Sequence, residues 1–197
     1  WAHQIKTPIF ALRLLLQESP EENKEKLSEL FKIEQYVEMV LGYLRTEDMS
    51  SDLKLSHCSL DRIIRDQIHK YAGIFVSKKL TLTYESISQD VLTDEKWLGF
   101  VIGQILSNAL KYTRTGSIRI WQKDPAALVI EDTGTGIDPA DIPRLGERGF
   151  TGYNGRLDKK STGIGLYLCK EISRRLSHTL TIESEPGKGT RVTIDFA

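Results

Sequence analysis

The chain has 197 residues, 40% hydrophobic and 27% charged, and its 27 Lys and Arg balance 27 Asp and Glu to a formal net charge of zero. This is ordinary globular composition for one large or two small domains, and it gives no support to binding of nucleic acid or a membrane surface by charge alone. No apolar run reaches about 20 residues, so no transmembrane helix lies within the chain, and there is no signal peptide. Because the chain does not begin with Met, the expectation is a fragment, with room for a membrane part upstream. Cys58 and Cys169 stand far apart and outside any C-x-x-C pair. They read as reduced thiols of a cytosolic protein rather than a disulfide scaffold or a thiolate metal site. His57, His69 and His178 show no ligand spacing either.

In chain order, the first region is helical. Ala2, Ile5, Ile9, Leu12 and Leu16 step by three and four, and so do Leu30, Ile33, Val37, Val40 and Leu44. Such steps make the seam of packed helices. Pro8 lies inside the first series and removes the backbone bond to the carbonyl of Gln4, which loosens the helix there. Between the series, Ser19, Pro20 and Glu22 read as a capping box with Pro at the first helical position. The expectation is one helix ending near Gln17 and a second from Pro20 to Arg45, forming an antiparallel hairpin over residues 1–45. At 1.5 Å per residue the second is roughly 39 Å long and the first about 25 Å, an overhang of roughly nine residues. The missing partner segment is expected to precede Trp1. A two-helix hairpin leaves much of its seam uncovered, so the expected assembly is a dimeric four-helix bundle.

Residues 46–55 are polar and aperiodic and read as a linker. From 56 to 197 helices and strands alternate. Ser59 reads as the cap of a helix through Phe75, followed by a strand in "KLTLTYES". Thr93 reads as the cap of the long apolar helix "DEKWLGFVIGQILSNALKYT", and "SIRIWQ" and "ALVIED" as strands joined by a turn. A glycine-rich stretch, the helix "GIGLYLCKEISRRL" and the strands "TLTIES" and "TRVTIDF" complete the chain. The expected architecture is an α/β sandwich, helices on one face of a mixed sheet.

Four stretches carry chemistry. Gln104, Asn108 and Lys111 fall on one stripe of an otherwise apolar helix. There a carboxamide oxygen suits Mg²⁺ and an ammonium suits phosphate, while a solvated polar face is the plain alternative. Asp132 ends a strand just before Gly134 and Gly136, a D-x-G-x-G turn that lets backbone approach a flat ligand while the carboxylate accepts from an amino group. Ser161, Thr162, Gly163 and Gly165 open a helix whose free N–H groups suit phosphate. Between them, "GERGFTGYNGRLDKK" has the composition of a mobile lid, with Phe150 as its aromatic and Arg148, Arg156, Lys159 and Lys160 as cations. Gly187 and Gly189 read as a structural hairpin.

The order of these elements resembles the ATP-binding fold shared by histidine kinases, DNA gyrase, the Hsp90 chaperone and the MutL repair protein, over residues 56–197. "HQIKTP" resembles the phospho-acceptor box of sensor histidine kinases, usually His, then Glu or Asp, two residues, Thr or Asn, then Pro. The resemblance implies ATP-dependent autophosphorylation of His3 and transfer to an aspartate of a response regulator receiver domain. It implies ATP and Mg²⁺ as cofactors, with Asn108 on the metal and Asp132 on the adenine. Lys111, Tyr112, Gly134, Gly136 and Ile137 would line the nucleotide, joined by Phe150, Lys160, Ser161, Thr162, Gly163, Gly165 and Leu166. His3 lies one step off the seam and is expected to point outward, within reach of a mobile second domain. Phe10, Ala11 and Leu14 would meet the regulator, and Thr7 would orient water for a regulator phosphatase activity.

Three positions depart from the family pattern. Gln4 stands where a carboxylate base is usual, and an amide orients a ring nitrogen without taking its proton. Gln104 replaces a common Asn, and the lid carries an extra glycine. The Gln-bearing box and short first helix resemble kinases that sense peptide antibiotics beside a transporter, membrane-anchored with little outside the cell. The competing reading is a nucleotide-binding signalling scaffold with weak or no kinase activity, and Gln4 is its support. A gyrase-type ATPase would need a Glu base in the Asn108 helix, where the nearest is Glu95.

Overall fold

A helix end leaves carbonyls without partners, and how the chain answers that need sets where each element stops. The structure, a computed structural model, describes residues 2–46, 53–124, 126–152 and 162–196. The chain forms two compact units, Trp1–Met49 and Ser50–Ala197.

In the first unit α1 spans Ala2–Gln17, with Pro8 inside it, and α2 spans Lys24–Thr46. The second helix therefore starts four residues later than the capping box suggested. Asn23 explains the shift. Its side-chain amide donates to the carbonyl of Leu16 at 3.2 Å, satisfying the open end of α1, and its N–H reaches the Ser19 carbonyl at 3.2 Å. Residues 18–23 are spent on that turn. The helices have 16 and 23 residues, so the excess is seven, not nine.

The hairpin covers only part of each apolar series. Ile9 and Leu16 are half-buried and Leu30 is buried, but Ile5, Leu12, Ile33, Val40 and Leu44 are exposed. Midway along, a forked ion pair replaces an apolar layer. Arg13 Nε donates to Glu34 Oε1 at 3.0 Å and Arg13 Nη2 to Glu34 Oε2.

The second unit runs β1 (Ser56–Ser59), α3 (Leu60–Lys78), β2 (Thr81–Tyr84), β3 (Asp90–Thr93), α4 (Glu95–Tyr112), β4 (Ser117–Asp124) and β5 (Ala127–Asp132). A short 3-10 turn (Ile142–Arg144), α5 (Gly165–Arg175), β6 (Thr179–Glu185) and β7 (Gly189–Asp195) follow. β2-β4-β5-β7-β6 form a mixed sheet in which only β2 and β4 are parallel. β1 and β3 pair antiparallel as a separate ribbon, which the sequence did not signal because each has four residues and at least half of them are polar.

The α3 cap is Ser59, whose Oγ accepts from Arg62 N–H at 3.4 Å. The α4 cap is Asp94 rather than Thr93. Its Oδ1 accepts from Trp97 N–H at 3.1 Å, while Thr93 ends β3 with its hydroxyl 3.0 Å from His178 Nε2. One face of the sheet carries the core. Ile118, Ile120, Leu128, Ile130 and Ile194 are buried there, as are Val101, Ile102, Leu106 and Leu110 of α4 and Leu168, Cys169 and Ile172 of α5. Side chains alternate across a strand, so the intervening positions take the other face. There Arg191 pairs with Glu131 at 2.6 Å, and the guanidinium groups of Arg119 and Arg191 lie 4.6 and 5.7 Å from the Trp121 ring centroid.

Candidate functional site

Alternation puts Ile118, Ile130 and Asp132 on the inward face, so β5 ends by carrying a carboxylate into the core layer. Asp132 is buried. Its Oδ1 accepts from Gly134 N–H at 2.8 Å and from the Thr113 hydroxyl at 3.4 Å, and the Thr190 N–H adds a further bond. Burial pushes its pKa up to about 6, which these bonds oppose and neighbouring Glu131 assists.

The turn after Asp132 is stitched on three sides. Thr135 N–H donates to the carbonyl of Tyr112 at 3.2 Å, Gly187 N–H to the Thr135 carbonyl at 2.8 Å, and Ile137 N–H to Ser184 Oγ at 2.9 Å. Gly136 has φ +67°, and a Cβ there would stand 2.0 Å from the Glu185 carbonyl oxygen. Only glycine fits that crossing. Tyr112, Asp132, Gly134, Gly136 and Ile137 are thus brought together at one junction of α4, β5 and the β6–β7 hairpin.

On α4, Gln104, Asn108 and Lys111 follow one stripe, as the spacing implied. Asn108 is half-buried, and among the described residues its carboxamide has no hydrogen-bond partner. Gln104 reaches the start of α5, where its Oε1 lies 3.0 Å from where a Cβ on Gly165 would stand. Lys111 sits over the Tyr112 ring, 5.2 Å from its centroid. Among the described residues the α5 N-terminus, with Gly165 and Leu166 in its first turn, has no side-chain cap, and leading amides of a helix have no partner within it.

Gly149 and Gly163, of the glycine-rich stretch, meet. Gly149 N–H donates to the Gly163 carbonyl at 3.2 Å. Gly163 has φ +67°, and a Cβ there would stand 2.4 Å from the Gly149 carbonyl carbon. Phe150 lies under the Arg144 guanidinium at 4.2 Å, and Thr162 Oγ1 accepts from Ile164 N–H at 3.3 Å. Lys160 and Ser161 lie outside the described residues, as do Arg156 and Lys159.

Gln4 and Thr7 are exposed on α1 in the first unit; the backbone of His3 is helical there and its side chain lies outside the description. Sequence reasoning missed Thr113 and Thr190. A buried hydroxyl closing an apolar helix was a signal for Thr113, whereas Thr190 acts through its backbone, which no residue type announces.

A protein-family model described as histidine kinase-, DNA gyrase B-, and HSP90-like ATPase matches residues 93–197. Over its whole length the chain is 36% identical to the sensor histidine kinase YxdK of Bacillus subtilis (strain 168) and 36% identical to the sensor protein kinase GraS of Staphylococcus aureus (strain MRSA252). It spans 62% of the first and 58% of the second. The solved histidine kinase AdeS of Acinetobacter baumannii shares the fold, with a TM-score of 0.67 at 21% identity over 99% of this chain and 97% of that one. Together with the site, these matches define an ATP-binding α/β sandwich. The chain belongs to the histidine kinase-, DNA gyrase B- and HSP90-like ATPase family, and within it to the sensor histidine kinases.

Proposed function

We propose that the chain phosphorylates itself on His3 from ATP and passes the phosphoryl group to an aspartate of a response regulator. The observation that carries the nucleotide half is the buried carboxylate of Asp132, held by the Gly134 N–H in a turn whose Gly136 crosses the Glu185 carbonyl too closely for any side chain. The acceptor half rests on the His3 box on an exposed helix of a separate unit.

The residues fit the nucleotide. Asp132, ionised above about pH 6, accepts from an exocyclic amino group. The open amides at Gly165 and Leu166, with Gly163, offer donors to phosphate. Lys111 and the lid cations supply positive charge, and Lys160, Ser161 and Thr162 extend that cradle. Tyr112, Ile137 and Phe150 supply apolar and aromatic walls. Among the described residues no three His, Cys, Asp or Glu side chains cluster to hold a metal unaided. A magnesium ion would therefore take the Asn108 carboxamide oxygen together with phosphate oxygens, and it would neutralise phosphate charge.

The rest is positioning. The His3 imidazole forms the N–P bond as the bond to the bridging oxygen breaks and ADP leaves. Gln4, one residue on, orients the ring through its amide but takes no proton, so proton removal falls to another group or to water. Thr7, one turn from His3, would orient the water that hydrolyses the regulator's aspartyl phosphate to the free aspartate and inorganic phosphate. Phe10, exposed on α1, would meet that regulator with Ala11 and Leu14. The exposed Ile5, Leu12, Ile33, Val40 and Leu44 support a second copy pairing into a four-helix bundle. Since the chain spans about three fifths of its relatives, we assign it as the cytoplasmic part of a membrane-anchored bacterial sensor. Its likeness to the antibiotic-sensing kinases extends that reading to a transporter partner.

The test is incubation with γ-labelled ATP and Mg²⁺, comparing the parent with His3→Gln and Asn108→Asp. Acid-labile, base-stable label on the parent, absent from both variants, is expected. An unlabelled parent that still binds ATP, with its upstream helix restored, would refute the kinase reading and leave a nucleotide-binding scaffold.

A further inference from the structure

We infer that Lys78, at the end of α3, is a positioning residue that fixes the C-terminus of α4 and through it the loop around Asp132. The inference rests on the nucleotide-site reading above and extends it to a residue outside the glycine motifs. Lys78 is the last residue of α3 and is half-buried. Its ammonium donates to the carbonyl of Leu110 and, at 3.2 Å, to that of Thr113. These belong to the open end of α4, where helical carbonyls lack partners and the helix dipole is negative. An ammonium answers both needs at once.

The peptide units that Lys78 holds are interleaved with those that hold the site. Between Leu110 and Thr113 lies Tyr112, whose carbonyl accepts the Thr135 N–H at 3.2 Å. Thr113 itself turns its hydroxyl to Asp132 Oδ1 at 3.4 Å. Pulled from one side by Lys78, the last turn of α4 presents these two partners to the Asp132–Thr135 turn on the other. Burial and the nearby Arg114 both push the Lys78 pKa down. An ammonium placed against that tendency is held by its two carbonyls.

With Lys78 replaced, the Leu110 and Thr113 carbonyls must turn to water, and the last turn of α4 frays. The sheet and the body of α3 keep their contacts, so the effect is local. This separates positioning from plain support, which would weaken the whole unit evenly.

The experiment uses the full chain and three variants, Lys78→Met, Lys78→Gln and Lys78→Arg, with amide hydrogen exchange and titration by the non-hydrolysable analogue adenylyl imidodiphosphate. Lys78→Met is expected to speed exchange at Thr135 by about tenfold or more, leave Ile130 and Val192 unchanged, and weaken the analogue about tenfold, the effect of roughly 1.4 kcal/mol. Lys78→Arg should restore both within about twofold, and Lys78→Gln, which keeps donors without charge, should fall between. Unchanged exchange at Thr135, or equal acceleration at Thr135, Ile130 and Val192, would overturn the inference. If the parent fails to bind the analogue, the nucleotide-site reading falls, and the exchange measurement still decides what Lys78 holds.

Discussion

Replacing Asp132 by Asn keeps the shape of the side chain and removes its charge. In an unfolded chain this carboxyl titrates near 3.8; buried at the end of β5 it titrates at about 6. The raised folded-state value means that its stabilising contribution is complete below 3.8 and is lost as pH rises through about 6. At pH 7.5 the ionised group therefore costs the fold about 3 kcal/mol relative to a neutral one, from a shift of about two units at 1.36 kcal/mol each. That figure already sets the Gly134, Thr190 and Thr113 bonds against burial. Asp132→Asn should stabilise the nucleotide-free protein by up to about 3 kcal/mol at pH 7.5, or roughly 6–12 °C in Tm. At pH 5 the gain should fall to about half, because the parent's carboxyl is by then mostly protonated in the folded state. Binding should move the other way. Loss of a charge-assisted acceptor weakens the ATP analogue by about tenfold or more, and the parent's own affinity should fall as pH drops below about 6. Thermal unfolding at the two pH values, with calorimetric titration, checks all of this. A less stable Asp132→Asn, or a gain identical at pH 5 and pH 7.5, would refute the account of the buried charge.

Two other variants, one single and one double, probe the Gly149–Gly163 contact and the assembly. Gly163→Ala forces a side chain into a left-handed backbone and against the Gly149 carbonyl carbon, a strain of about 1–2 kcal/mol. It should weaken nucleotide binding about tenfold with a small change in Tm, and unchanged binding measured by titration would show the Gly149–Gly163 contact to be dispensable. Val40 and Leu44 are 52% and 58% exposed in the single chain. Val40→Glu with Leu44→Glu should convert a dimer to a folded monomer by light scattering, and a variant that stays dimeric would place the subunit contact elsewhere.

The long apolar run of α4 and the glycine-marked turn after Asp132 were legible because each announces itself over several residues. The start of α2 was not, since a plausible cap at Ser19 competed with Asn23, whose pull on the Leu16 carbonyl depends on where α1 ends in space. The helical seam was half legible. Periodicity found the apolar stripe but could not divide it between the hairpin's own contact and the exposed face, nor foresee that Arg13 and Glu34 would meet. Thr93 looked like a cap because Asp94 beside it looked like an ordinary first-turn acid. Lys78 was invisible for a general reason: its partners are backbone carbonyls thirty-odd residues away, and carbonyls carry no residue identity.

The Arg13–Glu34 fork has a mechanical meaning. Apolar side chains slide past one another with little directional preference, but two parallel N–H···O bonds hold at one register only. Shifting α1 along α2 by one turn, about 5.4 Å, would part the pair and leave both charges half-enclosed without partners. The fork therefore ties α1 to one axial register against α2.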